Sequence, residues 1–276
     1  MVKCKLQIAA VVVVLLASFA TVLLAQTTAG DELNLGVQAY KQSRFEEAIQ
    51  HWEKCVALAP DNTTAHLYLA TAYVQQYIPG VDTPENNRMA EHAIDQYQHV
   101  LEGDSEGEAR INSTKGIAYL YLQMKKFDDS KKYYRMALDL DPNDPEPYYS
   151  VAVIDWTETY VPRQEVRAKL RMKPDGSLAA RDKNMCAEIK EKNAAKVQEG
   201  IDNFNKALQL RPDYDDAMAY MNLMYRERAD IQCDDPAARD ADLKAADDWV
   251  DKTMAVKKAK AKKAERSSEP IAADPQ

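Results

Sequence analysis

Small and aromatic residues recur along this chain on one face of successive helices. Ala48, Trp52 and Cys55 stand at offsets of four and seven; so do Ala93, Tyr97 and Val100, then Ser130, Tyr134 and Ala137, then Gly200, Phe204 and Ala207. Positions i, i+4 and i+7 share one side of a helix, so each trio predicts an amphipathic helix with a mixed small and aromatic buried stripe. Upstream of each trio lies a second helical pattern, marked by Leu35-Gly36, Leu69-Ala70, Ile117-Ala118 and Val151-Ala152. Pro60, Pro142 and Pro212 end the second helix of three groups, because proline lacks an amide proton and pushes the preceding residue out of the α region. Asp61-Asn62 and Asn143-Asp144 supply turn chemistry beside two of them. No segment alternates with period two over the length of a strand, so no sheet is expected.

The small residues opening the four trios lie 45, 37 and 70 residues apart. A helix-turn-helix unit of about 34 residues, lengthened by two insertions, accounts for all three spacings. In the insertion from Gln76 to Glu91, Pro79-Gly80 should end one helix. Thr83-Pro84-Glu85 should start the next, as N-cap, first-turn proline and early acid. The longer insertion covers 157–199. Its basic stretch holds Arg163, Arg167, Lys169, Arg171, Lys173, Arg181 and Lys183 against Glu165, Asp175 and Asp182. It reads as a solvated loop, or else as a contact for an anion or a partner. Beyond Asp182 a long helix should run antiparallel to one from Asp215 to about Asp230. Cys186 precedes Pro212 by 26 residues and Cys233 follows it by 21. At about 1.5 Å per residue the axial mismatch is only some 8 Å, so the two could pair in an oxidising compartment. Cys55, at a small core position, reads as a buried thiol.

The termini change the picture. Lys3 and Lys5 precede twenty uncharged residues, Leu6 to Ala25. This pattern, over residues 1–29, is a signal peptide or a retained N-terminal membrane anchor, with a buried core helix as the remaining alternative. Either of the first two places the rest outside the cytoplasm, in the periplasm or cell envelope, since the lysines stay inside. At the other end, Lys257 to Arg266 read as a basic helix end whose cations suit its C-terminal dipole, with a disordered tail to 276. Contact of those lysines with anionic lipid is a further reading. The formal net charge of −8 argues against nucleic-acid partners. The chain has no GxGxxG, P-loop or CxxC, and His51, His66, His92 and His99 show no metal-ligand spacing. Neither a cofactor nor a catalytic site is expected.

Leu35-Gly36 through Ala48-Ile49 to Pro60-Asp61-Asn62, and Phe127 through Asp141-Pro142-Asn143-Asp144, resemble the tetratricopeptide repeat (TPR) family, over about residues 31–255. The resemblance implies an all-α, right-handed superhelical solenoid of antiparallel helix pairs. Its units would be about 31–62, 63–104, 105–144, 145–214 and a degenerate 215–255. It also implies a partner-binding groove lined by the first helix of each pair. In that register the groove carries Tyr40, Lys41, Leu67, Thr71, Lys115, Tyr119, Tyr149, Val153, Trp156 and Arg226. Some relatives clamp a terminal carboxylate with lysine and asparagine; Val37, Thr71, Tyr119, Val153 and Leu223 stand at the asparagine places here, which disfavours such a clamp. The rings suggest an apolar or aromatic segment of a protein or peptide, unless they pack between repeats instead. The expected function is non-catalytic protein binding in the envelope. The alternatives are a membrane-tethered assembly component and an accessory of an envelope enzyme. Membrane contact would come only through an uncleaved N-terminal segment.

Overall fold

A computed structural model describes residues 27–103, 106–173 and 176–268. The signal or anchor reading of 1–29 lies almost wholly outside these residues, as does the tail after Ser268. All regular structure among the described residues is helical, and no helix there is long and apolar enough to cross a membrane. The chain divides into two compact units, 1–106 and 107–276.

The first unit contains α1 (Ala29–Lys41), α2 (Phe45–Leu58), α3 (Thr63–Gln76) and α4 (Pro84–Glu102). Thr28 caps α1 in a reciprocal capping box with Asp31. The α1–α2 turn places Ser43 at φ 59°, and its amides bond back, Ser43 to the Tyr40 carbonyl and Arg44 to that of Ala39. The insertion behaves as its sequence dictates: α3 stops at Gln76, Gly80 takes φ 80°, and the Thr83 side chain caps α4 with Pro84 in its first turn. Asn86 pins the loop by bonding the backbone of Ile78 and Val81. Ala48, Trp52, Cys55, Ala70, Ala93, Tyr97 and Val100 are buried, as their spacing requires.

The second unit contains α5 (Glu108–Gln123), α6 (Phe127–Leu140), α7 (Pro145–Lys169), the single turn α8 (Leu178–Arg181), α9 (Lys183–Leu210), α10 (Asp215–Asp230) and α11 (Pro236–Ser268). The α5–α6 turn repeats the first: Lys125 lies at φ 58°, with Lys125 and Lys126 bonding back to Leu122 and Tyr121. Helices α2, α6 and α9 end alike. Ala59, Asp141 and Arg211 have φ near −140° and ψ near +90°, the conformation that a following proline enforces.

Two expectations fail here. The basic stretch of the longer insertion is not a loop in its first part, because α7 continues through Pro162 to Lys169. Nor is all of it solvated. Arg163 and Arg167 turn inward, 9% and 7% exposed, because α10 presents Glu227 and Asp230 to them. Asp230 Oδ2 accepts from both arginines at 2.7 and 2.8 Å. The lysine-rich end is helical: α11 reaches Ser268, and Lys260 is tied to Asp215 at 2.6 Å.

Candidate functional site

In the first unit the predicted groove residues divide. Tyr40 packs its ring on Phe45 and Trp52, with centroids 5.2 and 5.7 Å apart. Leu67 and Thr71 are half-buried, the Thr71 hydroxyl donating to the Leu67 carbonyl, and only Lys41 stands fully exposed.

In the second unit Lys115 is tied to Asp144 at 2.7 Å and to Glu146. It therefore joins α5 to the start of α7 instead of waiting for a ligand. Tyr119, one helical turn on, is 38% exposed. Tyr149 sits among the rings of Phe204, Tyr214 and Tyr220, with centroids 4.8 to 6.1 Å away. Burial there pushes its phenol pKa up. Trp156 stacks on Tyr160 at 4.7 Å and meets Tyr220 edge-on at 5.2 Å. Tyr149, Val153, Trp156, Tyr160 and Tyr220 are all half-buried, so α7 and α10 share a seam of rings with one edge open. Packing between neighbours and presenting a surface are here the same arrangement. Trp156 Nε1 is buried without a hydrogen-bond partner, an unspent donor within the seam. Arg226 is held by Asn222 and Asp247 at 3.0 and 2.7 Å.

Tyr160 and Tyr220 escaped the sequence reading. Tyr160 follows Trp156 by four residues, on the same helical face, but lies within the insertion, where the sequence predicts a loop. Tyr220 lies in the degenerate last unit, where register is hardest to assign.

On another side of α7 a partly buried ionic network joins three helices. Lys131 on α6 bonds Asp155 and Glu158 on α7, and Lys196 on α9 bonds Glu158 at 2.7 Å. Burial pushes Asp155 up to about 6 against the pull of Lys131. Burial likewise pushes Glu227 up to about 7, opposed by Arg163. The Arg163 Nε and Glu227 Oε2 atoms form an ion pair 2.8 Å apart. The structure also joins Cys186 and Cys233 in a disulfide, Cα atoms 5.8 Å apart, fastening α9 to the loop after α10. Cys55 is free and buried. Among the described residues no group of three or more His, Cys, Asp or Glu is placed to hold a metal ion.

A family model for the tetratricopeptide repeat matches residues 114–144, and a second, for the TPR repeat, matches 36–76. Among solved structures, one of MamA covers 90% of this chain and 98% of its own, with 13% identity and a TM-score of 0.56. MamA (41-end) from Desulfovibrio magneticus RS-1 covers 88% and 97% at 13% identity, TM-score 0.53. YrrB, described as a TPR protein with an unusual peptide-binding site, covers 84% and 91% at 15% identity, TM-score 0.52. At such identities the likeness is one of fold. No curated protein sequence matches significantly.

Proposed function

We propose that this tetratricopeptide repeat protein binds a peptide or an extended segment of another protein, without catalysis, and does so outside the cytoplasm. The observation that carries the binding reading is the half-open seam of Tyr149, Val153, Trp156, Tyr160 and Tyr220 on α7 and α10. Rings whose inner edges are already fixed lose little rotamer freedom when a partner covers their outer edges, which favours them as binding anchors. Tyr119 on α5 is a further exposed ring of the same unit. A peptide as partner is also the class named for YrrB, whose fold is similar. Export is supported by Lys3, Lys5 and the apolar run after them, and by the Cys186–Cys233 bond, which persists in oxidising compartments.

Two measurements test this. Partners crosslinked to the native protein in envelope extracts should be lost from a Tyr119→Ala/Tyr160→Ala variant whose helicity is unchanged. Identical partners with both proteins would refute the ring face. N-terminal sequencing of the protein from envelope fractions tests export, and recovery from the cytosol alone would refute it.

A further inference from the structure

A cavity of about 680 Å³ opens in the second unit on the side of α7 that carries the arginines. Among the described residues Arg163, Arg167, Arg171, Arg226 and Arg239 line it together with Asp230 and Asp247; Glu227 and Asp240 pair Arg163 and Arg239 from beside it. In a chain of net charge −8 this is a local reversal of sign. Its floor is rigid. Arg163 and Arg167 share the Asp230 carboxylate, and Arg167 also donates to the Lys173 and Gly176 carbonyls at 2.6 and 3.1 Å. The mouth is adjustable. Arg171 is exposed at φ 49°. Arg226 is held there by Asp247, 73% exposed, and an ion pair so open to water is weak. An incoming anion can replace that carboxylate at little cost. Ala168, Met172 and Leu243 give the wall an apolar part.

We propose that this cavity binds a small organic phosphomonoester, the phosphoryl dianion meeting Arg171 and Arg226 while its apolar body lies against Met172 and Leu243. Guanidinium forks match phosphoryl oxygens in pairs, and the two guanidiniums at the mouth, Arg171 and an Arg226 released from Asp247, suit a double negative charge better than a single one. The volume falls in the range of small-molecule sites, about 300–1,000 Å³. The cavity adjoins the ring face, since Arg163 of its floor lies over the Tyr160 ring at 5.7 Å, but phosphomonoester binding does not depend on that face's role.

The test is calorimetry on the full chain at fixed ionic strength, with phenyl phosphate as probe, benzoate as a singly charged control and inorganic phosphate as the head alone. Phenyl phosphate should bind at least about tenfold more tightly than benzoate and more tightly than inorganic phosphate. Arg171→Gln/Arg226→Gln should weaken it by about tenfold or more, since each charged hydrogen bond contributes on the order of 1.5–3 kcal/mol. Both positions are at the mouth, so the variant should melt like the wild type. Arg135→Gln, an exposed arginine on α6, should leave binding unchanged. No binding, equal binding of benzoate, binding no tighter than inorganic phosphate alone, or binding indifferent to the double variant would each overturn the proposal.

Discussion

Gly36 shows how much one hydrogen can decide. A Cβ built there would lie 2.3 Å from Trp52 Nε1, and that ring is fixed by its bond to the Leu33 carbonyl at 3.1 Å. Gly36→Ala must therefore displace an aromatic ring from a closed core, and overpacking of this kind costs about 1–3 kcal/mol. Urea unfolding should show a loss in that range. Gly200→Ala is the informative contrast: its nearest obstacle is the Met224 methyl at 2.2 Å, the free end of a flexible side chain. Its penalty should be the smaller of the two. Glu227 makes a second prediction at this scale. Its folded pKa, about 7, lies above the ordinary 4.5, so the folded chain holds a proton that the unfolded chain has released. That stability is fully present below about pH 4.5 and is lost as pH rises through 7. The lost amount is on the order of 3 kcal/mol. Urea midpoints of the wild type should fall relative to Glu227→Gln between pH 5 and pH 8. A constant difference would mean that Glu227 is already charged at pH 5.

The elements were legible where each repeat holds its own instructions. Small and aromatic residues four and seven apart, a closing proline and an N-cap are local signals, so the helix pairs of 31–144 could be read directly. Helix α7 could not. Arg163 and Arg167 look solvated until Asp230 arrives, 67 and 63 residues later in the chain, and no local pattern announces such a partner. The cysteine pair was reachable because helix length fixes axial position whatever the side chains do. Its bond closes a separation of 47 residues, and in the chain-entropy account a loop of that size contributes about 4 kcal/mol. Reduction, or Cys186→Ser/Cys233→Ser, should lower the melting temperature by several degrees or more. No change would show that the bond constrains nothing the fold does not already fix.

At the scale of the whole molecule, the repeat pattern reveals a binding scaffold but not its working surface. The predicted groove residues were chosen by register alone. Tyr40, Lys115 and Arg226 then proved to be engaged with neighbours within the chain, because register assigns a face and cannot tell which groups on it are already satisfied. The cysteines let cleavage and oxidation be read in one experiment. The chain has four, and with Cys186 and Cys233 bonded only Cys4 and Cys55 can be free. Cys4 leaves with a cleaved signal, and Cys55 is fully buried, where burial also raises its thiol pKa. Protein isolated from the envelope should therefore give almost no thiol reaction when native. It should give one thiol in denaturant without reductant, and three after reduction. Two and four would mean that the N-terminal segment is retained as an anchor, with the disulfide intact. Equal counts before and after reduction would mean that Cys186 and Cys233 are not bonded to each other, and the disulfide would fall.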